Sequence, residues 1–281
     1  MVENVPSLFI PITGKAHQRV IRERRAADAA KENLFGAYWE SINRDIDNAV
    51  VREIDRKTCE SIILEYEWLG CMPAVVWHMY GMFFDGCCAG VVCYGPEYSE
   101  NLGKQAREQG RKCADWSKYG FEDKMILLSR GACVHWAHQH SGSKLIRASM
   151  KLLPKKYEVI TCTTDEAAGE IGTIYQACGF HYVGSMRDSN EKVNSRRLDR
   201  DGWLVNGKMY GSRSIRNIVG SCRMEDILKV FPSAKKIKQH SKHRYFAFRG
   251  GKYVEKTHLK AIEHLIKPYP KRISLDALAL L

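Results

Sequence analysis

Residues 157–184 read YEVITCTTDEAAGEIGTIYQACGFHYVG, and this stretch decides the fold. Tyr157–Cys162 is an apolar, β-branched run suited to a buried strand. Polar Thr163-Thr164-Asp165 follows it, then a helical stretch over Gly169–Cys178. Gly179 closes that helix, and Phe180–Gly184 is the next strand. Working upstream, Ser141-Gly142-Ser143 opens a helix with an apolar stripe of Leu145, Ile146, Met150 and Leu153, which Pro154 ends. Before it, Met125–Leu128 is a strand ending at Ser129-Arg130-Gly131. Further back, two β-rich runs within residues 74–95 flank Asp85-Gly86, the pair that a two-residue type I′ hairpin requires. Asp55 caps a helix whose apolar positions Ile62, Ile63, Tyr66 and Leu69 recur at helical spacing until Gly70 and Pro73. Strands alternating with helices imply right-handed crossovers and parallel pairs, hence an α/β fold with a mixed sheet flanked by helices.

The remaining composition narrows the class. No stretch of the 281 residues approaches the ~18 consecutive apolar residues of a membrane span, and residues 1–25 are polar and basic without a signal-peptide pattern. We therefore expect a cytoplasmic protein without a membrane partner. Ten cysteines without a recurring C-x2-C pair read as reduced thiols rather than a zinc site. The formal net charge of +12 is unevenly placed. From Asn206 to the end the chain has 17 Lys and Arg against 5 Asp and Glu, whereas the preceding residues balance. Such asymmetry points to a polyanion, because neutralising phosphates releases condensed counterions. The organisation expected is an N-terminal arm over 1–50 including a polar helix at 22–34, a catalytic domain over 51–205, and a basic C-terminal extension over 206–281. Residues 96–122 are expected to form a loop with a short helix, and residues 201–208 a hairpin.

The basic segment interleaves Lys235, Lys236, Lys238, Lys242 and Arg244 with Tyr210, Phe231, Tyr245, Phe246, Phe248 and Tyr253. This mixture suits a groove in which cations track phosphates while an aromatic stacks on a base. The alternative reading makes Phe246 and Phe248 core residues of a strand. Arg130 with the serine-capped helix forms a candidate anion site, since helix N-termini present unpaired amides and partial positive charge.

Tyr175-Gln176-Ala177-Cys178-Gly179-Phe180 resembles the tyrosine, three variable residues and Gly-Phe of GNAT acyltransferases. The order of elements is similar to that GNAT-like fold, in which polar residues such as Thr163-Thr164-Asp165 line a cleft between the fourth and fifth strands. The resemblance then narrows. Glu67-Trp68-Leu69-Gly70, Arg130 through Ala137 (RGACVHWA), Ser143-Lys144-Leu145-Ile146, Ala168 through Ala177 (AGEIGTIYQA) and Pro268-Tyr269-Pro270-Lys271-Arg272 together resemble the phage Mom family. It covers roughly residues 51–272. The resemblance implies a transferase that converts the exocyclic amine of adenine in DNA to a carbamoylmethyl derivative, protecting phage DNA from host restriction. It places His78, Asp165 and Tyr175 in the active-site cleft, and Arg130 and Ser143 at the donor site. In those roles His78 or Asp165 would orient or deprotonate the amine, and Tyr175 would protonate the leaving group.

The GNAT pyrophosphate loop, Arg/Gln-x-x-Gly-x-Gly/Ala, is here longer and lacks its glycines. The donor is therefore open between acetyl-CoA and another acyl or glycyl donor. Iron is the metal the resemblance raises, with His135-x-x-His138-x-His140, or His78 with Tyr80, as the ligand sets to examine. The oligomeric state, monomer or homodimer, is open. Two rivals remain. An N-acyltransferase acting on a small amine, a protein or tRNA explains Tyr175 equally well but leaves the basic segment idle. A DNA-binding protein without catalysis would tolerate loss of His78, Asp165 and Tyr175.

Overall fold

The computed structural model describes residues 16–32, 36–97, 116–165, 168–185, 201–205, 208–238 and 242–272. Most of the loop expected over 96–122, the turn at 206–207 and the first fifteen residues lie outside them. The described chain begins with α1 (His17–Glu32) and α2 (Gly36–Ser41), followed by β1 (Val50–Glu53) and α3 (Arg56–Tyr66). The hairpin comprises β2 (His78–Phe84) and β3 (Cys87–Gly95), and leads to β4 (Met125–Cys133) and α4 (Ser141–Leu152). Next come β5 (Val159–Asp165), α5 (Thr173–Ala177) and β6 (His181–Ser185). The remainder holds β7 (Asp201–Val205), β8 (Lys208–Gly211), α6 (Ser212–Val219), α7 (Met224–Val230), β9 (Lys235–Lys238), β10 (Lys242–Phe248) and α8 (Lys252–Ile262). None of the described helices is long and apolar enough to cross a membrane.

Local chemistry accounts for several boundaries. The Asp55 carboxylate accepts the Thr58 amide at 2.7 Å and so starts α3. Asp85 and Gly86 both take positive φ, 46° and 77°, which is what a type I′ turn demands. The Tyr-x-x-x-Gly-Phe stretch is a Schellman closure of α5. The Phe180 amide bonds the Tyr175 carbonyl and the Gly179 amide bonds the Gln176 carbonyl, both at 3.0 Å, with Gly179 left-handed at φ 81°. The accompanying apolar contact is Tyr175 against Phe180, ring centroids 5.4 Å apart. One physical device thus places the tyrosine.

The main sheet runs β1-β2-β3-β4-β5-β10-β6. All pairs are antiparallel except β4 with β5, which is the GNAT-like mixed sheet read from the sequence. Neighbouring residues of β3 show which helix covers which face. The Cys93 thiol meets Cys59 of α3, whereas the Tyr94 hydroxyl lies 2.7 Å from Ser149 Oγ of α4. Helices α3 and α4 therefore cover opposite faces.

The C-terminal quarter is not a single appendage. Its β10 lies between β5 and β6, in the interior of the sheet, and Tyr245 and Phe246 on it are fully buried. What stands apart is a second sheet, β8-β7-β9, with its own core of Trp203, Val205, Ile215, Ile227 and Ala234. The expected division at 205/206 thus falls inside the β7–β8 hairpin. Charge marked the basic segment but carried no information about strand pairing. The N-terminal arm also packs on the body: Arg22 donates to the Ala137 carbonyl at 3.0 Å, and Trp39 stacks on Trp136 at 5.0 Å.

Candidate active site

The parallel pairing of β4 with β5 covers only Met125 to Leu127 against Val159 to Thr161. Beyond it β4 stays on β3 as far as Cys133, and β5 stays on β10 as far as Asp165. The two strands part company, leaving a cleft between their C-terminal halves. The sequence ended β4 at Ser129-Arg130-Gly131; the strand instead runs on to Cys133. Cys93 pairs Arg130 while Tyr94 pairs Leu128, so Ser129 is an extra residue in β4. This bulge turns Arg130 to the side that Cys93 faces, the α3 face.

Arg130 accordingly meets the end of α3, where its Nε lies 3.8 Å from Glu67 Oε2. Glu67 is buried, and that burial pushes its carboxyl up against the opposing pull of Arg130. Asp165 faces the same side, its Oδ2 3.6 Å from Lys242 Nζ. Glu170 completes the cluster. Burial, assisted by the like charges of Glu67 and Asp165 and opposed by Arg130 and Lys242, pushes its carboxyl up to about 7.

Tyr175 approaches from the α4 face. It lies within electrostatic reach of Cys162, a buried residue of β5, and its ring packs on Tyr245 with centroids 5.8 Å apart; burial holds its proton well above the usual phenol range. Ser143 lies in the first turn of α4, also on this side. Its Oγ donates to the His140 carbonyl at 3.0 Å, and the helix has no side-chain cap bond, so the expected serine cap is replaced by this local bond. The Ser141 hydroxyl is buried without a hydrogen-bond partner among the described residues. Arg130 and Ser143, expected at one donor site, stand on opposite faces. The first turn of α4 fits an anion, but Arg130 is engaged with carboxylates.

His78 is not brought together with Asp165 and Tyr175. It starts β2, three strand spacings or about 14 Å across the sheet from β5, and its ring packs edge-on to Tyr157 at 5.7 Å. Burial holds its imidazole below the ordinary value, with Lys156 assisting and Glu53 opposing.

The histidine triplet does not converge. His135 Nδ1 lies 2.8 Å from the Tyr66 hydroxyl, while His138 Nδ1 accepts the His140 amide at 3.2 Å. Tyr80 is buried against Tyr94. Among the described residues no three His, Cys, Asp or Glu side chains are disposed to hold a metal ion, and iron gains no support.

Of the cations expected on DNA, Arg244 is a correction. It is buried, with its Nη1 3.2 Å from Glu97 Oε1 and 3.1 Å from Thr161 Oγ1, because its position in β10 points into the sheet's packing. Lys242 belongs to the cleft. Lys235 and Lys236 are exposed on β9, and Lys238 ends that strand.

Sequence reasoning missed Glu67 and Glu170 as charged members of the cleft, although both lie in quoted motifs. It also missed Gln18 of α1, whose Nε2 donates to the Gly131 carbonyl at 2.7 Å. A long polar helix carries no mark of which strand it will touch.

A mixed sheet split at its parallel pair, with acid–base groups on both faces of the split, defines a GNAT-like α/β protein. The model of the Mom protein family matches residues 48–271, and the chain belongs to that family. No curated protein matches the sequence. Among solved structures it is similar to a GNAT family acetyltransferase from Elizabethkingia anophelis with acetyl-CoA bound. That match has 10% identity and TM-score 0.38, covering 72% of this chain and 99% of that one. A putative phosphinothricin N-acetyltransferase matches at 8% identity and TM-score 0.38, covering 73% and 100%. The Drosophila melanogaster polyamine N acetyltransferase matches at 8% identity and TM-score 0.37, covering 72% and 100%.

Proposed function

We propose that this protein is a transferase that modifies the exocyclic amine of adenine in DNA, installing a carbamoylmethyl group or a close relative that shields phage DNA from host restriction in the bacterial cytoplasm. The observation that carries the reading, beside membership of the Mom family, is the split between β4 and β5 with chemistry on its two sides. A donor on the α4 face would have its anionic part at the first turn of α4 near Ser143 and its leaving group beside Tyr175. An amine on the α3 face would meet Asp165 and Lys242. The donor is acetyl-CoA or another acyl or glycyl donor; acetyl-CoA would supply a carbonyl carbon and leave an acetyl group, so a carbamoylmethyl product requires a glycyl-type donor that also carries the amide nitrogen. Asp165 orients the amine through its carboxylate, and Tyr175, which keeps its proton at neutral pH, can hand that proton to a departing group. Double-stranded DNA would be held through Lys235, Lys236 and Lys238 of the small sheet, with Lys242 nearest the chemistry.

A second reading is favoured by one specific feature. Glu67, Asp165 and Glu170 give the acceptor face three carboxyl groups, which suits a small cationic amine better than a polyanion.

The test is restriction challenge of plasmid from cells producing the protein or its Asp165→Ala variant, using enzymes whose sites contain adenine. Protection by the wild type alone supports DNA modification. Complete cutting of both, with soluble protein present, overturns it in favour of the small amine.

A further inference from the structure

We propose that Glu170 is the group that takes the proton from the nucleophilic amine, carried into the cleft on the clamped residues 168–172 of the loop between β5 and α5. This rests on the transferase reading but not on the identity of the amine.

Residues 168–172, the described part of the loop that follows β5, are tied down at almost every residue. The Glu170 amide bonds the Asp165 carbonyl at 3.2 Å. The Ile171 carbonyl accepts from Tyr245 Oη and from Gln176 Nε2 at 3.1 Å. The Gly169 carbonyl accepts from Arg272 Nη2 at 2.6 Å. Gly169 and Gly172 take positive φ, 66° and 74°, and the Tyr245 ring closes on Gly172 so tightly that a Cβ there would lie 2.5 Å from its Cζ. These bonds fix the backbone from which the Glu170 carboxylate extends, so the carboxylate is presented from a rigid base.

Its surroundings span both faces of the split. Glu67 at the end of α3, Asp165 of β5, Arg130 of β4 and Lys242 of β10 act on it from the acceptor side. From the other side Tyr175 of α5 is close enough to be affected by its charge. Glu170 is thus the carboxyl of the cleft that lies between the proposed acceptor and the proposed acid. Its proton affinity near neutrality is that of a useful base.

In the transfer step the amine lone pair forms the new N–C bond to a carbon electrophile, a thioester or comparable donor, and the bond to the leaving group breaks with its electron pair. The amine proton passes to the Glu170 carboxylate, and the leaving group takes the Tyr175 proton. Solvent returns both residues to their starting states.

The experiment titrates full-length protein labelled with ¹³C at the glutamate carboxyls, wild type against Glu170→Gln, and follows product formation against pH in the same samples. The resonance missing from E170Q should titrate near 7. Wild-type product formation should rise about tenfold per pH unit below that value and level off above it. E170Q should be slower by about 100-fold or more at pH 8 and lose that limb, with Glu170→Asp recovering part of the rate. A missing resonance that titrates near the ordinary glutamate value of about 4.3, or an E170Q variant with the wild-type rate and limb, overturns the proposal. Absence of any DNA product from the wild type counts against the substrate assignment, and the titration still decides the assignment of Glu170.

Discussion

Arg130 Nε stands 3.8 Å from Glu67 Oε2, and the Glu67 side chain is only 5% exposed. The guanidinium also donates to the Ser129 carbonyl at 2.7 Å, so the bulged residue and the end of α3 are joined through one side chain. Removing either partner strands a charge in a poorly solvated place. Glu67→Ala and Arg130→Ala should each lower unfolding free energy by about 2–4 kcal/mol, with the double variant losing less than the sum. Urea denaturation of the three variants checks this; additive losses would show that the pair does not interact.

Arg244 and the β9 lysines should behave oppositely, although sequence reading grouped them. Arg244→Ala breaks a buried pair with Glu97 and should destabilise by about 3–5 kcal/mol. Lys235→Ala is expected to change stability by less than about 0.5 kcal/mol while reducing the salt dependence of DNA binding by roughly one ion. Thermal melts and binding isotherms at several salt concentrations separate the two effects. An equal loss of stability at Lys235 would contradict its exposed position.

Gly172 carries two constraints at once, its φ of 74° and the Tyr245 ring where a side chain would stand. Gly172→Ala should therefore cost about 2 kcal/mol or more and displace the Glu170 loop. Gly120, also left-handed but with open space where a Cβ would stand, should tolerate alanine at about 1 kcal/mol. Comparing the two denaturation midpoints tests whether packing or backbone strain dominates.

His78, His135 and His181 are each held below the ordinary imidazole value, burial being the largest cause in every case. Their folded-state values are lower than their unfolded ones, so the unfolded chain binds more protons below about 6.5. Stability should be full above that pH and fall as the pH drops through the folded values. Replacing His181 by Gln should flatten the fall below about pH 6.5. An unchanged slope would mean that His181 titrates normally.

Local signals were legible. Asp55, Asp85-Gly86 and the Tyr175-to-Phe180 closure each bind their own backbone or that of near neighbours, so the residues involved appear together in the chain. Non-local relations were not. Nothing in KHRYFAF (242–248) announces that this strand enters between β5 and β6. Arg244 read as surface charge because its partner Glu97 lies far away in sequence. The extra residue at Ser129 depends on where β3 places Cys93 and Tyr94, a register that no stretch of β4 contains. Asp165 and Tyr175, named from the sequence, lie on opposite sides of the β4–β5 split, while the carboxyl groups of Glu67 and Glu170 joined them only when α3, β4 and the β5–α5 loop met.

The most direct measurement is mass spectrometry of nucleosides digested from DNA of cells producing the wild-type protein or Asp165→Ala. A heavier deoxyadenosine in the wild-type sample, absent from a folded Asp165→Ala sample, is the predicted result, and its added mass identifies the transferred group. Unmodified deoxyadenosine in both, with the wild type abundant and soluble, would contradict DNA modification by this protein.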